Sequence, residues 1–177
     1  MSRVAVVELQ GIVSFGVAAL VVDDISLART VLLSLLSELG IKADETDNGY
    51  QAIELVQQAR KQNRPYDFVL MDWRMPGLDG IETSRRIQQL DNAPHILMVS
   101  AYDKEQAKAN LQGVKIHQFV EKPVNHSILL DAIYNMQHEA NAAEIYGKLP
   151  RQQILQHALD WPWLADANFD KQYPTSH

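Results

Sequence analysis

Phe68-Val69-Leu70-Met71-Asp72, continuing as Trp73-Arg74-Met75-Pro76-Gly77-Leu78-Asp79-Gly80, is the stretch on which the fold reading turns. Four apolar residues without polar alternation read as a short strand covered on both faces. The strand ends on a carboxylate, and the loop after it is dense in turn formers. A helix is expected from about Ile81 to Leu90. The unit is therefore strand, acidic end, loop and helix.

The same unit recurs on either side. Upstream, Ala18-Ala19-Leu20-Val21-Val22 ends at Asp23-Asp24. Apolar residues from Ala28 to Leu39 then recur at helical spacing until Gly40. A weaker strand, Ile41 to Thr46, leads to a helix carrying Ala52, Ile53, Leu55, Val56 and Ala59, with Pro65 beyond it. Downstream come a strand at Ile96 to Val99, a polar helix at about Glu105 to Leu111, and a strand at about His117 to Val120. A last amphipathic helix follows Pro123, with Asn125 or Ser127 as its cap. Five strand–helix units in strict alternation predict a parallel, doubly wound α/β sheet with helices on both faces.

In such sheets the functional crevice lies beyond the carboxyl ends of the strands. Those ends are Asp23-Asp24, Asp72, Ser100 and Lys122. Three carboxylates, a hydroxyl and an amine are thus expected on one rim. Each has an ordinary alternative as a turn, cap or surface residue; their convergence carries the functional reading. Clustered carboxylates repel one another, and a hard divalent cation with oxygen ligands relieves that. Mg²⁺ is the expected ion, held directly by Asp24 and Asp72, through water by Asp23, and by the backbone carbonyl of Arg74. Asp72 can then attack phosphorus as a carboxylate nucleophile. Lys122 supplies fixed positive charge to the phosphoryl oxygens, and Ser100 a hydroxyl donor. Phe119, three residues before Lys122, is placed to turn inward when Ser100 moves, so that a charge event becomes a surface change.

Composition bounds the alternatives. The 177 residues carry a formal net charge of −6, which argues against a broad nucleic-acid-binding face. No cysteine is present, excluding disulfides, thiolate metal sites and cysteine nucleophiles. A cytoplasmic location is the expectation. Glu8 and Gln10 interrupt the apolar run from Val4 to Val22, leaving Gly11 to Val22, shorter than the roughly 20 residues a bilayer needs. A buried strand with a preceding extension is expected there, with no membrane partner. The chain divides into an extension at residues 1–15, a core domain at 16–138 and a mildly acidic, partly helical extension at 139–177 with no recognised output domain.

The motifs Leu20-Val21-Val22-Asp23-Asp24, Val69 to Gly80, Met98-Val99-Ser100-Ala101 and Phe119-Val120-Glu121-Lys122-Pro123 together resemble the receiver domain of bacterial two-component response regulators. The wording around Trp73 and Lys122-Pro123-Val124 is similar to receivers of hybrid sensor histidine kinases. The resemblance implies a flavodoxin-like sheet of strand order 2-1-3-4-5 and a cis peptide before Pro123. It also implies that Asp72 takes phosphate from a histidine kinase or histidine phosphotransfer protein. Phosphorylation-dependent homodimerisation is a further expectation, and two origins stay open: a stand-alone receiver or an excised piece of a hybrid kinase. On this reading the chain catalyses only its own phosphorylation and dephosphorylation.

Some positions depart from the family pattern. Ile25 stands where a polar residue is usual, and Gly113 lies further from Phe119 than usual. Arg74 and Tyr102 occupy positions that tune phosphate lifetime, and their bulk predicts a long one. A Mg²⁺-dependent aspartyl-phosphate phosphohydrolase is the rival from another class. It resembles a pattern with a second aspartate two residues past the nucleophile, where this chain has Arg74, which cannot donate a proton at neutral pH. A receiver-shaped binding module without phosphate chemistry is the third reading; the intact acidic triad speaks against it.

Overall fold

The computed structural model describes residues 17–101 and 104–146. Residues 1–15, Tyr102 and the part of the 139–177 extension beyond Tyr146 lie outside them. The chain divides into two compact units, Met1–Tyr134 and Asn135–His177. The described part of the second unit is the continuation of one helix.

Ten elements alternate in order. They are β1 (Ala18–Val22), α1 (Ser26–Glu38), β2 (Lys42–Thr46), α2 (Gly49–Lys61), β3 (Phe68–Asp72), α3 (Gly80–Gln88), β4 (His95–Ser100), α4 (Lys104–Ala109), β5 (Gln118–Glu121) and α5 (His126–Tyr146). The strands form one sheet in the order β2-β1-β3-β4-β5, and every pairing is parallel. The β1-to-β2 step runs opposite to the other three. Right-handed crossovers therefore put α1 on one face and α2, α3 and α4 on the other.

Burial explains the strand patterns. All five residues of β3 are buried, as are the last four of β1 and the last five of β4. These strands have helices above and below, so uninterrupted apolar runs are what they require. The edge strand β2 is mostly exposed, and its Lys42, Asp44 and Glu45 keep that edge from pairing with another chain. Leu20, Val22, Val69, Met71, Ile96 and Met98 face α2–α4 and join Ala52, Val56, Ile81, Ile87 and Ala107 in one core.

Helix ends follow local chemistry. After α1, Gly40 takes φ +75°, and the amides of Gly40 and Ile41 donate to Ser37 and Leu36. That is a Schellman stop, which glycine adopts without the Cβ penalty. Asn48, Asp79 and Asn125 cap α2, α3 and α5 by accepting from the amides of Gln51, Glu82 and Ile128. The cap of α5 is thus Asn125 of the two sequence candidates. Helix α4 ends at Ala109, earlier than expected, because Gln112 and Gly113 turn the chain at φ 45° and 86°. The Lys122–Pro123 peptide is cis, as the resemblance implied.

Candidate functional site at the carboxyl rim

Asp23 follows the last residue of β1, Asp72 ends β3, Ser100 ends β4, and Lys122 follows β5. Parallel pairing sets these ends side by side, and β1 and β3 are adjacent where the strand order reverses. That junction is where open α/β sheets form their crevice. Carboxylate oxygens of Asp23, Asp24 and Asp72 lie within 4.8 Å of one another.

The three acids are held differently. Asp23 is fully buried, and all its polar groups are engaged. Its amide donates to Thr46 at 3.2 Å, and its Oδ1 accepts from the Ile25 amide at 2.9 Å. Its carbonyl accepts from Arg29 at 2.8 Å, and its Oδ2 accepts from Lys122 Nζ at 2.9 Å. Asp72 is 8% exposed and accepts from the same Nζ at 2.8 Å. Asp24 is exposed, and its carboxylate has no hydrogen-bond partner among the described residues.

Three carboxylates against one ammonium leave the cluster negative. Burial raises the Asp72 carboxyl above its ordinary range; the Lys122 hydrogen bond opposes that, and the charges of Asp23 and Asp24 reinforce it. Burial pulls the Lys122 amine down, but its bonds to Asp72 and Asp23 outweigh this and leave it raised. Lys122 is therefore charged at neutral pH and bridges two acids across strands β1, β3 and β5. The donor set is all oxygen, with one exposed and two anchored carboxylates, and this fits a hard divalent cation such as Mg²⁺.

Ser100 is buried, and its carbonyl accepts from the Lys122 amide at 2.9 Å, so the hydroxyl-bearing and amine-bearing strand ends are tied together. Phe119 sits opposite Met98 in the sheet and is partly buried against the core. Arg74 is exposed, and its guanidinium lies 5.2 Å from the Trp73 ring centroid. A cleft of about 780 Å³ beside the acids is lined by Asp24, Trp73, Arg74, Glu82 and Arg85 among others.

Two residues that the sequence reading passed over also shape the rim. Gly80 donates its amide to the Trp73 carbonyl at 2.7 Å, and a Cβ there would lie 2.0 Å from the Asp72 carbonyl oxygen. Its conformation is ordinary, so its need is space beside the acid's own backbone. The Asp79-Gly80 pair signalled a turn and gave no sign of that approach. The other is Arg29, whose sequence signal was only a basic residue one turn into a helix.

Comparison with known proteins agrees with this arrangement. The sequence profile of the response regulator receiver domain matches residues 19–134. Two-component response regulator 24 of Arabidopsis thaliana is 31% identical over 129 residues, 73% of this chain and 90% of that protein. The receiver domain of the histidine kinase CKI1 from the same plant, complexed with Mg²⁺ and BeF₃⁻, superposes with a TM-score of 0.59 at 28% identity. That match covers 70% of this chain and 91% of the other. The receiver domain of the sensor histidine kinase PA1611 from Pseudomonas aeruginosa, with magnesium in its active-site cleft, gives 0.59 at 27%, covering 68% and 95%. With the sheet order, the acidic rim and these likenesses in agreement, the chain belongs to the response regulator receiver family of two-component phosphorelays.

Proposed function

We propose that Asp72 is a Mg²⁺-dependent phospho-acceptor, and that its charge change resets a protein-binding surface. The observation that carries this reading is the amine of Lys122 shared between Asp23 and Asp72, beside the carboxylate of Asp24, which has no hydrogen-bond partner among the described residues. Asp24, Asp72 and the Arg74 carbonyl would hold the ion, with Asp23 acting through water. When bound, Mg²⁺ neutralises charge on the transferring phosphoryl oxygens.

The remaining chemistry belongs to the chain's own side chains. A carboxylate oxygen of Asp72 attacks phosphorus, the P–N bond of a phosphohistidine breaks, and its electron pair returns to the donor imidazole. Lys122 keeps Asp72 ionised and oriented before transfer and then follows the new phosphoryl oxygens. Ser100 donates its hydroxyl to one of those oxygens, and its displacement draws Phe119 further into the core. Aspartyl phosphate adds about −1.5 to −2 charges, enough to shift a two-state element with a gap of a few kcal/mol.

The donor in this reading is a histidine kinase or phosphotransfer protein. Ile25, Leu27, Val31, Tyr50 and Ile128 are the exposed large hydrophobics among the described residues, and all stand on or next to helices that start at the acidic rim. Exposed apolar side chains on helices that begin at a charged rim suit a docking protein better than a small solute. The chain would act on no separate substrate, because Arg74 stands where a hydrolase would need its acid. No described helix is long and apolar enough to cross a membrane. A cytoplasmic location completes the reading, with phosphorylation-dependent pairing of two copies as its simplest output.

Incubation with acetyl phosphate and Mg²⁺, read by intact mass, tests it. One phosphoryl adduct is expected in the parent and none in Asp72→Asn or in EDTA. Steady turnover of p-nitrophenyl phosphate would favour the hydrolase instead.

A further inference from the structure

Helix α1 begins unlike the helices after β2, β3 and β5. Its N-cap position is Ile25, which has no side chain able to accept from the first-turn amides. The loop carrying both rim aspartates of β1 therefore lacks the usual tie to its helix. Two contacts replace it. The Asp23 carboxylate accepts from the Ile25 amide, and Arg29 reaches back from α1 to the Asp23 carbonyl.

Arg29 is anchored in turn. Its Nε donates to Glu45 on β2 at 2.9 Å while Nη1 donates to Asp23 at 2.8 Å, and the side chain is only 16% exposed. One planar guanidinium thus joins α1, the edge strand and the Asp23–Asp24 peptide. A guanidinium offers donors in a fixed fork, so both bonds constrain one geometry. Holding that carbonyl fixes the peptide plane and hence the direction in which Asp24 leaves the backbone. Asp24 needs this because no side chain among the described residues holds its carboxylate.

We infer that Arg29 is a positioning residue for the divalent-cation site, setting Asp24 through the backbone of Asp23. This rests on the metal-binding reading proposed above. The inference makes a signed prediction, since Arg29 is also a cation near an acidic cluster. If its charge were all that mattered, removing it would tighten Mg²⁺ binding. If it positions Asp24, removing it loosens binding, by about tenfold for loss of such an outer contact.

The experiment titrates Mg²⁺ into the full chain, following the amide resonances of Asp24 and Trp73, for the parent, Arg29→Gln and Arg29→Lys. Arg29→Gln is expected to bind about tenfold more weakly. Arg29→Lys, which keeps the charge but cannot make both bonds in one plane, should lie between it and the parent. Leu36→Ala, which loosens the buried face of the same helix, should lower the melting temperature and leave Mg²⁺ affinity unchanged. Tighter binding in Arg29→Gln, or parental affinity in Arg29→Lys, overturns the inference, and the lysine variant decides it alone should the glutamine variant not fold. A parent that binds no Mg²⁺ overturns the metal reading, and the inference with it.

Discussion

At the carboxyl end of the sheet, Asp23, Asp24 and Asp72 crowd around one lysine with negative charge to spare. At the amino end, polar groups are paired off. His95 and His117 stack with centroids 4.4 Å apart, and His117 Nδ1 accepts from the Ile96 amide at 2.9 Å. Tyr66 donates to Asp44 at 2.5 Å, and Asp67 accepts from the Ala18 amide at 2.8 Å. One end of the same sheet completes its own bonding, and the other gathers like charges around one amine. Neutralising a charge should therefore help the carboxyl end, whereas removing a polar partner should hurt the amino end.

The largest expected effect tests the backbone on which the acidic end is built. Gly80→Ala puts a Cβ against the Asp72 carbonyl, a rigid neighbour. Urea unfolding should show a loss of about 3 kcal/mol or more. Gly77→Ala in the same loop meets nothing within 4 Å and bears only the strain of φ +77°, about 1 kcal/mol. Equal losses would mean that crowding at Asp72 is not what position 80 protects.

Acid titration probes the amino end. Burial, helped by His95 and Lys115, lowers His117 to about 4 from its ordinary 6.5. The unfolded chain then binds more protons between those values, so stability falls as pH drops from about 6.5 to about 4. The loss should be about 2 kcal/mol, less than full linkage because the ring keeps solvent contact. His117→Phe should flatten this slope in thermal melts across the range. An unchanged slope would remove His117 from the account. Tyr66→Phe, which leaves Asp44 without its partner, should cost about 1.5 kcal/mol.

The smallest effect has the opposite sign. Without Mg²⁺, Asp72→Asn should stabilise the protein by about 1 kcal/mol, since burial already disfavours the ionised form. The same substitution should abolish the stabilisation that Mg²⁺ gives the parent, about 1.4 kcal/mol at ten times its dissociation constant. A destabilised Asp72→Asn would place the Lys122 bond above carboxylate repulsion in importance.

Much of this was legible in the chain. The buried runs of β1, β3 and β4 declared themselves because strands covered on both faces tolerate nothing polar. The rim residues followed, since alternation of strands and helices forces all strand ends to one side. Strand β2 was faint because an edge needs charge more than it needs a pattern. Arg29 and Gly80 were not legible as parts of the site. Their roles depend on which backbone atoms lie beside them, and spacing along the chain does not encode that. The boundaries of α4 slipped for a related reason, since positive φ at Gln112 has no side-chain signature.

The most direct test asks which atom carries the phosphoryl group. Borohydride reduces an acyl phosphate to an alcohol, so a phosphorylated aspartate is recovered as homoserine. After treatment with a phosphohistidine donor and Mg²⁺, peptide mass mapping should find homoserine at position 72 alone. Homoserine at position 23 or 24, or a borohydride-insensitive phosphoryl group on a histidine, would contradict the account.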